Sequence, residues 1–307
     1  MLKLCESPFP RTFFIMRKII IPLIAVILIF AIFLMFQPTT DNISKFYESK
    51  EVLLKTDNCS VTAFLNKPKG IDFDKVIIIA GGYTDTDKGG YNSAKRISDL
   101  VKDKFNRLGY LSLVVVYKQE TGLGDKDLKD FLCAVRWAKH NAGEYGLKLD
   151  KIYLLGHSRG GYIVSFANTI EKTNGVIANS FVTDLRRLYE MTENKEIGLY
   201  DPELQKRAEN IINLTIRSYS GTPDEVPKIW EQKSIIPNIN KMKSRYMFTL
   251  GNDELKYAHE IMGGLEKAFE SCNDCVEWEY VKINNMKHYP FYNKEWWEAV
   301  LEFIRKT

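Results

Sequence analysis

The sequence predicts an α/β fold: a mostly parallel sheet flanked by helices, with a small helical cap inserted over the strand ends, preceded by one N-terminal transmembrane helix. Three observations carry this. From residue 51 to the C-terminus short apolar runs alternate with amphipathic stretches, the pattern of a parallel sheet covered by helices. A charged stretch at 184–241, holding Pro202, Pro223, Pro227 and Pro237, interrupts the alternation. An uncharged apolar run, Ile19 to Phe36, precedes both.

The apolar run reads IIIPLIAVILIFAIFLMF and has no charged side chain. As a helix rising about 1.5 Å per residue it spans roughly 27 Å, close to the hydrocarbon core of a bilayer. A buried core helix would alternate apolar and polar faces, and this run has none. A cleaved signal peptide is the alternative, but Leu34-Met35-Phe36-Gln37-Pro38 is a poor cleavage site. Lys3, Arg11, Arg17 and Lys18 lie before the run and only Glu6 opposes them, so residues 1–18 are expected in the cytoplasm. The expected order is a span at 19–36, a polar tether at 37–50 and a domain at 51–307 outside the cytoplasm.

Residues 51–65 are expected to supply one or two leading antiparallel strands. Strand Val76–Ala80, helix Asn92–Leu108, strand Leu111–Tyr117 and helix Lys126–His140 follow. Next come strand Lys151–Leu155, helix Tyr162–Ile170 and strand Val176–Val182. After the insertion, strand Tyr246–Leu250, helix Ala258–Phe269, strand Val276–Ile283 and helix Lys294–Arg305 complete the series. Both ends of the 184–241 insertion leave strands at the same sheet edge. Its apolar residues, Tyr189 and Trp230 among them, are therefore expected to line a pocket.

The composition limits the partners. Of 307 residues 45% are hydrophobic and 27% charged, which excludes a disordered or collagen-like chain. The net charge of +4, from 43 basic and 39 acidic residues, is too small to suggest a nucleic-acid partner. Five cysteines exclude a miniprotein built on disulfides.

The most informative segment is Gly156-His157-Ser158-Arg159-Gly160-Gly161, between the strand KIYLL and an apolar helix. A G-x-S-x-G turn from strand to helix forces its serine into a strained conformation, with the hydroxyl exposed above the sheet edge. Ser158 is the candidate nucleophile, and a hydroxyl needs a base to take its proton. His140 ends a helix, His157 is expected to be aimed away by the turn, and His259 starts a helix. His288 follows the last strand, at the carboxyl end where open α/β sheets place their chemistry, and is the candidate base. The base needs a carboxylate to hold its tautomer. Asp253, in Leu250-Gly251-Asn252-Asp253-Glu254-Leu255, is the first candidate; Glu254 beside it and Asp184 are the alternatives. For the oxyanion, the backbone N–H of Arg159 is one donor, and Gly82, then Tyr83, supplies the other.

On GHSRGG at 156–161, LGNDEL at 250–255, KHYPF at 287–291 and AGG at 80–82, the chain resembles the α/β-hydrolase fold superfamily over roughly residues 51–307. The doubled Gly160-Gly161 resembles the dienelactone-hydrolase-like and prolyl-oligopeptidase-like branches. The resemblance implies a serine acylated by an ester, amide or thioester and freed by water, with Ser158, His288 and Asp253 as triad. Two departures stand out. Many relatives carry G-x-x-D-E before the acid, and Gly251-Asn252-Asp253-Glu254 is one residue shorter, which keeps Glu254 open. Many carry His-Gly in the oxyanion turn, where this chain has Ala80-Gly81. Dienelactone hydrolases proper use cysteine, so that activity is not implied.

Cys272-Asn273-Asp274-Cys275 is a lone C-x-x-C without the second pair a zinc ribbon needs, and it reads either as a loop disulfide or as free thiols. Cys59 and Cys133 are expected unpaired. Asn42, Asn58 and Asn213 fit N-x-[ST] at a frequency chance explains. No phosphate loop or zinc-protease pattern is present and Gly122-Leu123-Gly124 lacks the rest of a dinucleotide fingerprint, so no cofactor is expected. The leading reading is a membrane-anchored serine hydrolase acting on a small-molecule or lipid-like carboxylic ester. The alternatives are a prolyl-oligopeptidase-like peptidase and a non-catalytic scaffold on the same fold.

Overall fold

The computed structural model describes residues 47–70, 73–83, 89–117, 122–123, 125–145, 150–199 and 201–307. The expected span at 19–36 and most of the tether lie outside the described residues. Among the described residues no helix is long and apolar enough to cross a membrane.

Strands β1 (Tyr47–Thr56) and β2 (Cys59–Pro68) form an antiparallel hairpin. β3 (Lys75–Ala80), helix α1 (Gly89–Asn106), β4 (Tyr110–Val115), α2 (Asp125–His140), β5 (Lys151–His157), α3 (Arg159–Ile170) and β6 (Gly175–Asn179) follow. The insertion contributes α4 (Leu185–Glu193), α5 (Pro202–Tyr219) and α6 (Pro227–Lys233). β7 (Tyr246–Gly251), α7 (Lys256–Glu270), β8 (Trp278–Ile283) and α8 (Lys294–Arg305) close the chain. The sheet runs β1-β2-β4-β3-β5-β6-β7-β8. β2 meets β4 antiparallel, and every later pairing is parallel.

A parallel sheet covered on both faces needs strands apolar on both sides. In β3, Val76, Ile78 and Ala80 enter the core shared with α2 and α3, while Ile77 and Ile79 enter the core shared with α1 and α8. The expected elements are present with shifted ends. β6 stops at Asn179, three residues early, because Ser180 takes a positive φ of 44° and turns the chain out of the sheet. α3 starts at Arg159, directly after the serine, rather than at Tyr162.

Among the described residues two disulfides are present. Cys272 and Cys275 are joined in the loop before β8. The expectation that Cys59 and Cys133 stay unpaired is corrected: they are joined, with Cα atoms 6.0 Å apart. They lie 74 residues apart in sequence, and only the packing of α2 across β1 and β2 brings them together.

The insertion is a helical cap. Asp184 caps α4 by accepting from Arg187 N–H at 3.1 Å, and Asp201 caps α5 by accepting from Glu203 and Leu204 N–H. Trp230 is fully buried at the centre of the cap, its Nε1 donating to Gly221 O at 3.0 Å and its rings against Tyr189 and Tyr219. The cap is tied to the body by Leu123 N–H on Thr215 Oγ1 at 3.0 Å and by Tyr219 O–H on Leu123 O at 2.9 Å.

Candidate active site

Ser158 sits between β5 and α3 with φ 55° and ψ −124°, a conformation that L-residues avoid and that packing must enforce. Its N–H donates to Asn179 O at 2.8 Å, which ties the turn to the end of β6. The turn also needs a close approach behind it: any Cβ on Gly160 would collide with Ala80 O. The strain expected of the motif is thus present.

Arg159 begins α3, so its backbone N–H belongs to the first helical turn, where such groups have no intrahelical partner. Its side chain is 2% exposed and forms a buried ion pair with Asp127. The same guanidinium donates through Nε to Gly122 O and lies over the Tyr117 ring. Tyr117, itself buried, donates its hydroxyl to Gly81 O. One buried cluster therefore fixes both turns from which oxyanion donors were expected. Gly82 borders the Ser158 turn closely, since a Cβ there would stand 3.3 Å from Ser158 Cβ. Tyr83 also faces the cavity, and its hydroxyl accepts from Asn210 of α5 at 2.7 Å.

His288 stands in the loop after β8, as expected. Its Nδ1 lies 3.1 Å from Glu254 Oε2. The expectation that Asp253 supplies the carboxylate is corrected. Asp253 is exposed, its N–H donates to Met286 O at 3.1 Å, and it is Glu254, 3% exposed, that faces the imidazole. Burial pushes the Glu254 carboxyl up, but hydrogen bonds from His288 and Ser180 and the charge of His288 outweigh it and hold it below the usual carboxylate range. Asp184, the other alternative, is occupied in capping α4.

Ser158 and His288 open into one cavity of about 500 Å³, bordered also by Gly82, Tyr83 and Arg159. The cap supplies one wall through Leu188, Ile197, Leu204, Ala208 and Ile211, as a pocket-lining cap requires. Two named members are placed differently: Trp230 and Tyr189 do not border the cavity, because they build the interior of the cap.

His157 was expected to point elsewhere, yet it borders the cavity. Its ring packs 4.8 Å from that of His288 and 5.3 Å from that of Tyr289. Asn179 Nδ2 lies 3.2 Å from His157 Nδ1, so the neutral ring accepts there and carries its proton on Nε2. Burial first, then the charges of His288 and Arg96, holds its pKa well below the ordinary imidazole value. Ser180 and the Arg159–Asp127 pair were also missed. Ser180 follows a strand's carboxyl end, the one signal that points to it. Asp127 lies 32 residues from Arg159 with no motif to link them.

The BD-FAE family model matches residues 63–203. No curated protein matches the chain. Among solved structures, a truncated carbohydrate esterase from gut microbiota aligns with a TM-score of 0.65 at 13% identity, covering 86% of this chain and 97% of that one. Esterase B from Lactobacillus rhamnosis aligns with a TM-score of 0.63 at 15% identity, covering 85% and 84%. An acylaminoacyl peptidase in complex with Z-Gly-Gly-Phe-chloromethyl ketone aligns with a TM-score of 0.56 at 15% identity, covering 85% of this chain but only 41% of the peptidase. With the sheet order and the strained serine turn, these matches show that the chain has the α/β-hydrolase fold.

Proposed function

We propose that the protein is a serine hydrolase that cleaves carboxylic esters, with Ser158 as nucleophile, His288 as base and Glu254 as the carboxylate behind it. The observation that carries this is His288, with Glu254 buried behind its Nδ1, facing the same cavity as a serine held in a strained turn. In this reading His288 Nε2 takes the Ser158 proton as the hydroxyl attacks the acyl carbon, then returns it to the leaving alcohol. Water, activated by the same nitrogen, attacks the acyl-enzyme and frees Ser158. The N–H groups of Arg159 and of Gly82 or Tyr83 hold the oxyanion at each tetrahedral stage. The apolar cap wall takes the acyl group. The likeness to two esterases of matching length favours an ester over a peptide bond.

We place the enzyme at the membrane through the apolar run 19–36, with the catalytic domain outside the cytoplasm. Two disulfides support an oxidising compartment. The test uses the full chain in detergent and a fluorophosphonate probe, followed by a p-nitrophenyl ester series of increasing acyl length. Labelling of wild type, lost in Ser158→Ala, together with ester turnover is the expected result. A folded wild type that stays unlabelled overturns the hydrolase reading, and turnover of aminoacyl amides without esters replaces it with a peptidase. Protease added to intact cells should digest the domain; protection until lysis refutes the orientation.

A further inference from the structure

We infer that Ser180 is a positioning residue of this site, a second serine that fixes the proton on His288 Nδ1 and leaves Nε2 bare toward the substrate. The inference rests on the hydrolase reading above and deepens it.

Ser180 is 4% exposed and stands where β6 ends, with its N–H donating to Thr249 O at 3.0 Å. Its Oγ lies 2.7 Å from Glu254 Oε2 and 3.1 Å from His288 Nδ1, while Nδ1 lies 3.1 Å from the same Oε2. The three polar atoms form a closed triangle. Only one arrangement of protons satisfies it. Ionised Glu254 can only accept, so the single hydroxyl proton of Ser180 goes to Oε2. Toward the imidazole Ser180 can then only accept. Nδ1 must therefore carry the ring's proton and share it between Oε2 and Oγ.

This is the tautomer a general base needs, because it leaves the Nε2 lone pair free. When Nε2 takes the Ser158 proton, the ring becomes cationic and its Nδ1–H a stronger donor, and two acceptors rather than one already face it. Ser180 keeps its own proton throughout, and Glu254 keeps its charge. The carboxylate is also held in place: Oε2 takes two donors, and the Leu255 N–H approaches Oε1 at 3.5 Å. The backbone of Ser180 serves the same end, since its φ of 44° turns the side chain back toward the loops that carry Glu254 and His288.

The test compares Ser180→Gly and Ser180→Ala in the full chain. Both remove the hydroxyl, but only alanine is strained at positive φ, so the pair separates the hydroxyl from the backbone. The first readout needs no turnover: the low-field proton resonance of His288 Nδ1–H, assigned by its loss in His288→Asn. It should move upfield or broaden equally in both variants. The second is steady-state hydrolysis of p-nitrophenyl acetate. Loss of one hydrogen bond to a charged group should lower kcat about 10- to 100-fold in both variants, with KM within about twofold. Wild-type kcat in Ser180→Gly, an unchanged resonance, or a raised KM at constant kcat overturns the inference. A wild type that the fluorophosphonate does not label, with the resonance responding as expected, instead sinks the hydrolase reading.

Discussion

Replacing Glu254 by Gln removes one charge and keeps the shape, so it isolates what the carboxylate does for His288. At 3.1 Å, and with an effective dielectric constant of about 20, the attraction between carboxylate and imidazolium is about 5 kcal/mol. His288 is 42% exposed, so solvent screens part of this, and about 3 to 4 kcal/mol is a fairer figure. That corresponds to a fall of about 10²- to 10³-fold in kcat for p-nitrophenyl acetate. Glutamine with its oxygen toward His288 and Ser180 also sets an NH2 where Oε1 faces the Leu255 N–H. Asp253→Asn is the matched control. Its side chain is exposed and off the imidazole, so it should retain activity within about twofold. The assay is steady-state ester hydrolysis by the full chain, with thermal unfolding measured alongside to show that each variant is folded. A larger loss in Asp253→Asn than in Glu254→Gln, or more than a tenth of wild-type activity left in Glu254→Gln, refutes the assignment.

Leu204→Ala and Ile211→Ala, which enlarge the cavity, should shift the preferred acyl chain toward longer esters in a p-nitrophenyl series while changing acetate turnover little. Trp230→Ala should act on folding, costing about 3 to 5 kcal/mol in denaturant titration, because the ring is buried inside the cap. His157 is held neutral in the folded state while the unfolded ring protonates near its ordinary pKa of 6.5. The unfolded state then binds the extra proton below that pH, so the contribution of His157 is full above about 6.5 and falls as pH drops, by up to about 1.4 kcal/mol per unit. His157→Phe should flatten this acid limb in equilibrium unfolding from pH 7 to 5. Cys59→Ala with Cys133→Ala frees a loop of 74 residues and should lower stability by about 2 to 4 kcal/mol, read as a lower denaturation midpoint.

The parts of the fold legible in the sequence are those whose physics is local. β3 and β7 are continuous apolar runs because both faces of the sheet are covered, and they fall within a residue of their expected ends. β1 shows little such signal. Most of YESKEVLLKT is exposed at a sheet edge, so its extent is set by pairing with β2 rather than by burial. The sequence pattern places the start of α3 three residues late because Arg-Gly-Gly is a poor helix opening by propensity. Tertiary packing overrides it: Gly160 must back onto Ala80, and a helical turn from Arg159 places it there. The cap was legible as a cap, but not which of its apolar residues face the cavity. Trp230 and Leu204 look alike in composition and differ only in the side of the bundle they occupy.

That Glu254 rather than Asp253 faces His288 shows what kind of information a motif holds. Counting from the strand-ending Gly251 in a G-x-x-D pattern, the fourth position is Glu254, although the aspartate in this chain stands at 253. The structure follows the count and not the residue type. Asn252 and Asp253 still donate their N–H groups to Ile283 and Met286, so this stretch stays tied to the chain that leaves β8. Glu254 N–H then turns back onto Gly251 O at 3.2 Å, and this turn brings the next side chain inward to His288. A carboxylate at 253 is carried to solvent by the same hydrogen bonds that carry one at 254 into the site. Glu254→Asp therefore shortens the reach to Nδ1 by one methylene without recovering the pair through Asp253. Activity in that variant should fall toward that of Glu254→Gln; a variant as active as wild type would show that the loop can slip by one residue and that the count does not fix the site.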